Sequence, residues 1–109
     1  DKIVAIQVFE HLRPAEAIMA LEHWRKMLWR GQPLVMSMPD MTNTLDMLDT
    51  DFDFALRHLR GRQGDYRNTH HAWYTEAGLC GLLEWSGFRV EVLGNFHFYP
   101  AIVVRAIKQ

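Results

Sequence analysis

Two places in this 109-residue chain gather side chains able to do chemistry. Glu10 and His11 stand together directly after an apolar run. A carboxylate beside an imidazole suits proton transfer near neutral pH, because histidine titrates there. The second place is denser. His70, His71, Trp73 and Tyr74 fall close together, and His58 is placed to join them across a loop. Rings at that density can form a substrate wall, which serves reactions that need aligned reactants more than acid or base help. Both groups also have a plainer role. Glu10 and His11 can cap and pack on the next helix, and the ring cluster can tie down a loop.

Other patterns fall short of a site. Asp49, Asp51 and Asp53 begin like a calcium loop, but Phe54 stands where that loop needs glycine and Arg60 where it needs glutamate. They read as a solvated acidic turn. No metal site is expected: His70 and His71 are adjacent and cannot easily share an ion, and no cysteine or carboxylate spacing supports them. Cys80 lies among leucines and reads as a buried small hydrophobe. The run Phe96, His97, Phe98 and Tyr99 could stack bases but lacks flanking Lys or Arg, so a core or interface role is expected.

Composition narrows the classes further. A net charge of -1 sets up no field toward polyanions, so no nucleic-acid partner is expected. Hydrophobic residues at 49% and charged residues at 23% describe a globular chain. The length gives one domain, residues 1–109, with a modest core. No apolar run approaches the roughly 20 residues of a membrane helix, and no signal peptide is visible. A single cysteine fits a reducing compartment. A soluble cytoplasmic protein with no membrane partner is the expectation.

The elements that must position these groups follow from patterning. Residues 3–9 are almost continuously apolar, which suits a strand covered on both faces. Pro14 fits the first turn of a helix carrying Ala17, Ile18, Leu21, Trp24 and Leu28, with Gly31 as its stop. Leu34 to Met38 reads as a second strand, closed by Pro39 and Asp40. Thr42 or Asn43 is placed to cap a short helix, and residues 52–59 read as another. Gly61, Gly64 and the polar stretch to Asn68 read as loop. Thr75 caps a helix with Leu79, Leu82 and Leu83, inside which Gly78 and Gly81 imply close packing against a neighbour. Gly87 ends it. Residues 89–93 and 101–107 then form strands close enough in sequence to pair antiparallel. The order is an α/β layer with a mostly parallel sheet.

That order resembles the second half of a class I S-adenosylmethionine-dependent methyltransferase, of the type 11-like group. VFEHL (8–12) looks like the end of that family's fourth strand. WRKMLWRGQPLVMSMPD (24–40) looks like its following helix end, glycine loop and fifth strand, with one glycine of the usual pair kept as Gly31. GRQGDYRNTHHAWYTEAGLCGLLEWSGF (61–88) is similar to a subgroup with a Gly-x-Gln segment and a histidine ahead of the helix. The resemblance implies a partial Rossmann-like methyltransferase sheet, strands four to seven, the last two antiparallel, with flanking helices. It implies that Val8, Phe9, Glu10 and His11 lie against the methionine end of S-adenosylmethionine. It also suggests His70, Trp73 and Tyr74 as an acceptor wall, and methyl transfer to a small or saccharide-linked acceptor. The acidic-x-Gly-x-Gly turn of the family's first strand is not in this sequence. The chain is therefore expected to be truncated, inactive alone and without cofactor of its own. The strand at residues 3–9 is expected to become an edge that recruits a second copy or a partner chain. A non-catalytic module using that edge is the alternative.

Overall fold

The computed structural model describes residues 1–61, 68–96 and 99–109. Strand β1 covers Ile3–Ile6 and helix α1 covers Pro14–Met27. Pro14 opens the helix, and Glu16 accepts a hydrogen bond from the Arg13 N–H at 2.9 Å. The helix ends at Met27, one turn earlier than the glycine implied. Gly31, at φ +87°, sits in the tight turn beyond it and donates its N–H to the Lys108 carbonyl at 2.8 Å.

Strand β2 covers Pro33–Pro39 and pairs with β1 in parallel, with Ile3 opposite Leu34 and Ile6 opposite Ser37. Three helices follow: α2 at Met41–Asp46, α3 at Phe52–Arg60 and α4 at Glu76–Trp85. Strands β3 (Phe88–Phe96) and β4 (Ala101–Lys108) close the chain. The sheet order is β1-β2-β4-β3, so the last strand inserts between β2 and β3 and runs antiparallel to both.

Helices α1 and α4 cover one face of this sheet. Leu34, Met36 and Met38 of β2 lie opposite Ala106, Val104 and Ile102 of β4, and all six are buried. They meet Ala17 and Leu21 of α1 and Leu79 and Leu83 of α4 in one cluster. The other face carries Val4 and Ile6, each 53% exposed, at the β1 edge. No helix among the described residues is long and apolar enough to cross a membrane.

Several local expectations need correction. The apolar run at residues 3–9 is a strand only to Ile6. Gln7 takes a positive φ of 53°, rare outside glycine, and breaks the strand. A 3-10 turn at Phe9–His11 comes next, and the Phe9 ring turns fully into the core. Helix α2 is capped by Asp40, whose Oδ2 accepts from the Asn43 N–H at 2.8 Å, rather than by Thr42 or Asn43. A Cβ added at Gly81 would meet nothing, so close packing does not explain that glycine. Cys80 is partly exposed rather than buried. In the aromatic run, Phe96 and Tyr99 are both more than half exposed, and His97 and Phe98 lie outside the described residues, as do Gly64 and its neighbours 62–67.

Candidate functional site

The break at Gln7 shapes the site. The Gln7 N–H continues the ladder to the Ser37 carbonyl at 2.9 Å, then the chain tightens into the 3-10 turn. That turn lies at the carboxyl end of β1, where ligands bind in open α/β sheets. It tucks Glu10 inward, leaving it 2% exposed. Oε1 of Glu10 is buried without a hydrogen-bond partner among the described residues. Burial pushes the carboxyl up to about 7, against a small opposing pull from a backbone hydrogen bond. The group therefore holds or releases a proton near neutrality.

Histidines arrive from two directions. His11 anchors its ring through Nδ1 on the Thr69 carbonyl at 3.2 Å, so in the neutral ring Nδ1 carries the proton. Its Nε2 lies 3.8 Å from Glu10 Oε2. His70 meets the His11 ring edge-on, with centroids 4.8 Å apart. Burial lowers the His70 pKa, and the charge of His11 adds to this; backbone carbonyls of His58 and Leu59 pull it partly back. The segment bearing His70 is held by hydrogen bonds from its N–H to the Arg60 carbonyl and from the His71 N–H to the Glu10 carbonyl, both 2.9 Å.

Glu10, His11 and His70 border a cleft of about 530 Å³, with Phe54, His58 and Tyr99 across it. His58 is not part of the cluster around Glu10. Its Nε2 donates to the Pro100 carbonyl at 2.6 Å, and its ring stacks on Phe54 and meets Tyr99 edge-on.

The residues singled out from sequence divide accordingly. Glu10, His11 and His70 converge. Val8 is 41% exposed beside them, while the Phe9 side chain is sealed between Trp24 and Tyr74 and offers a ligand only its backbone. Trp73 and Tyr74 do not line the main cleft, but they border a smaller pocket together with His70 and His58. With His71 they line a second cavity of about 340 Å³ on the α1 side. The Trp73 indole N–H donates to the Leu59 carbonyl. Burial pushes the Tyr74 phenol up to about 12, helped by the Glu10 charge. Sequence reading missed Gly61, whose backbone at φ +67° brings it against His70. It also missed Asp40 as a functional cap. The Asp-x-x-Asn spacing directly after a strand was the available signal.

This site sits in a framework shared with solved structures. All of the chain superposes on a magnesium protoporphyrin IX methyltransferase from Synechocystis, solved with bound SAH, at a TM-score of 0.64 and 20% identity, covering 45% of that chain. It superposes equally fully on a SAM-dependent methyltransferase from Thermotoga maritima, a possible histamine N-methyltransferase, at TM-score 0.65 and 15% identity. An O-methyltransferase family protein from Burkholderia thailandensis matches at TM-score 0.65 and 15% identity. The fold is methyltransferase-like. The chain spans 56% of the Thermotoga protein and 30% of the Burkholderia one, so it covers a part of each. No family model matches the sequence, and no curated protein does. The methyltransferase-like sheet has the expected form: β1 and β2 parallel, then an antiparallel β3–β4 pair. The Glu10 turn comes directly after the first of these strands.

Proposed function

We propose that this chain forms one wall of an S-adenosylmethionine-dependent methyltransferase, with methyl transfer to a small or saccharide-linked acceptor as the parent activity. The observation that carries the reading is the Glu10–His11 turn at the carboxyl end of β1, opening onto a cleft in a methyltransferase-like fold. Residues here fit the methionine end of the cofactor. Half-exposed Val8 offers an apolar surface, and the unpartnered Oε1 of buried Glu10 offers an acceptor to a cationic group. The cofactor would supply the electrophilic methyl group. His11 and Glu10 would then hold or take the acceptor's proton. The chain contains no acidic-x-Gly-x-Gly turn to receive the rest of the cofactor, and Gly78 and Gly81 lie inside α4. The isolated 109 residues are thus inactive alone and bind the cofactor weakly. Micromolar affinity corresponds to about -8 kcal/mol, more than one wall supplies. Titration of S-adenosylhomocysteine followed by amide NMR tests this. Shifts confined to residues 7–11 at millimolar ligand are expected. Shifts elsewhere, or a micromolar calorimetric constant, contradict the reading.

A second reading, of a partner-binding module, draws on the β1 edge. Among the described residues strand β1 has a neighbour on one side only, and Val4 and Ile6 stand exposed on it. Apolar edges of this kind template added strands. The proposed partner is a second copy, pairing along residues 3–6. Light scattering at micromolar concentration should then report twice 12.8 kDa, and Ile6→Lys should halve that mass. A monomer for the unsubstituted chain would remove this reading and leave the first intact.

A further inference from the structure

We infer that Glu10, His11 and His70 form a binding site for a divalent transition-metal ion. One ligand atom from each lies within 4.8 Å of the other two. Two imidazoles and one carboxylate make up the donor set of catalytic zinc sites and of the facial triad that holds ferrous iron. The arrangement around them is that of ligands already oriented. The His11 Nδ1 is tied to the Thr69 carbonyl, which leaves Nε2, the nitrogen facing Glu10, with its lone pair free. The carbonyls of His58 and Leu59 also act on the His70 ring. Metal-bound histidines are held in this way, with one ring nitrogen on a carbonyl and the other on the ion.

The second observation is independent of the histidines. Glu10 is 2% exposed, yet its Oε1 has no hydrogen-bond partner among the described residues. A carboxylate oxygen buried without a partner is costly, and a cation between it and the imidazoles removes that cost. The fit requires a modest closure. Ligand atoms about 2.0–2.1 Å from a tetrahedral ion are about 3.3 Å apart. Glu10 and His11 already stand at 3.8 Å, and no pair of the three ligand atoms is more than 4.8 Å apart. All three residues border the large cleft, so the remaining coordination positions open toward it, where an oxygen or nitrogen of a bound molecule can enter. The residues that conceal the site from sequence reading are His70 and His71. As neighbours they cannot share an ion, but only His70 belongs to the set.

The test uses the whole chain stripped with chelator, titrated with Zn2+ by calorimetry and with Co2+ by visible absorption. One ion per chain with a dissociation constant of micromolar order or tighter is expected. His11→Gln and His70→Gln should each weaken binding about tenfold or more. His23→Gln, on the exposed face of α1, should change nothing. Because a cleft variant can disturb folding, the unsubstituted protein provides a second measurement. In nitrogen-15 spectra Zn2+ should shift the His11 Nε2 resonance and leave Nδ1 protonated on Thr69. Absence of saturable binding up to about 100 µM overturns the inference. So does binding that survives both cleft substitutions, or a shift that falls on His23 or His71 instead. None of these outcomes depends on whether the chain takes part in methyl transfer.

Discussion

Neighbouring parallel strands end in buried carboxylates, each with one oxygen that has no hydrogen-bond partner among the described residues, Oδ1 of Asp40 and Oε1 of Glu10; they differ in what the other oxygen and the backbone do. Asp40 closes β2 at 1% exposure, and Glu10 stands just past β1 at 2%. Asp40 is tied into structure. Its Oδ2 caps α2, its carbonyl accepts from the Thr44 hydroxyl at 2.5 Å and the Thr44 N–H at 3.0 Å, and its own N–H reaches the Pro100 carbonyl. Glu10 uses only its backbone, whose carbonyl receives the N–H groups of His71 and Ala72. Beyond a backbone hydrogen bond within its own residue, the nearest polar side-chain atom given for its carboxylate is His11 Nε2, 3.8 Å away. The difference lies in the segment that leaves each strand. A helix start presents free N–H groups to a carboxylate, whereas the 3-10 turn after β1 aims its donors elsewhere. One carboxylate is spent on holding the chain, and the other faces the cleft.

The largest effect should come from the glycine that brings His70 to Glu10. Gly61 has φ +67° and ψ -167°, a region essentially closed to other residues. A Cβ there would also strike the Asn68 backbone oxygen and come within 2.6 Å of the His70 ring. Gly61→Ala should cost about 3 kcal/mol or more in urea denaturation and should broaden or move the His70 ring signals. An unchanged midpoint would mean that the approach of His70 to Glu10 is not fixed by this backbone.

The next effect is the pH response of Glu10. A carboxyl raised in the folded chain from 4.5 to about 7 binds a proton that the unfolded chain has already released. Its contribution is full below about pH 4.5 and is lost as pH rises toward 7. Every tenfold change in proton affinity is worth about 1.4 kcal/mol, so the loss is on the order of 3 kcal/mol. His70 acts in the reverse sense, since its lowered pKa favours the folded state as pH rises. The informative quantity is therefore wild type minus Glu10→Gln, measured in EDTA. That difference should fall between pH 4.5 and 7 and be flat above. A flat difference throughout would place Glu10 in contact with water.

How much of this was legible runs along the same division. The β1-α1-β2 unit was readable because continuous apolar runs, Pro14 and a glycine turn each act locally. The end of β1 was not, although Gln7 inside the apolar run marked the break: a positive φ at glutamine is set by the ladder to Ser37, which is a tertiary contact. The trio at the cleft joins residues about 60 positions apart, and nothing local announces that His70 rather than His71 turns inward. Gly61 read as an ordinary loop glycine because its constraint is the closeness of Asn68 and His70, not a turn type. Insertion of β4 between β2 and β3 was likewise beyond spacing arguments, which gave only that the last two strands pair.

A smaller effect is expected at the strand end assigned to structure. Asp40→Ala removes the cap of α2 and should cost about 1–2 kcal/mol. Asp40→Asn keeps an oxygen for the Asn43 N–H and should recover most of that loss. If asparagine costs as much as alanine, the charge of Asp40 matters, and the contrast with Glu10 narrows. Metal affinity should be the same for both variants, because Asp40 looks onto a different groove, beside Asn43, Glu76 and Asn95.

The smallest effect tests whether the β2 end is scaffold alone. Thr44 is 1% exposed, and its hydroxyl donates to the Asp40 carbonyl. Thr44→Val keeps the volume and removes that donor. The carbonyl stays satisfied by the Thr44 N–H at 3.0 Å, so no buried acceptor is orphaned. The loss should therefore be that of one net hydrogen bond, about 1 kcal/mol. The ring signals of His11 should not move, since Thr44 is not among the residues that border its cleft. A change at His11 without a change in stability would show that the two strand ends are coupled through Pro39, which borders the cleft on one side and precedes Asp40 on the other. The division between a structural and a chemical carboxylate would then have to be redrawn as one continuous network.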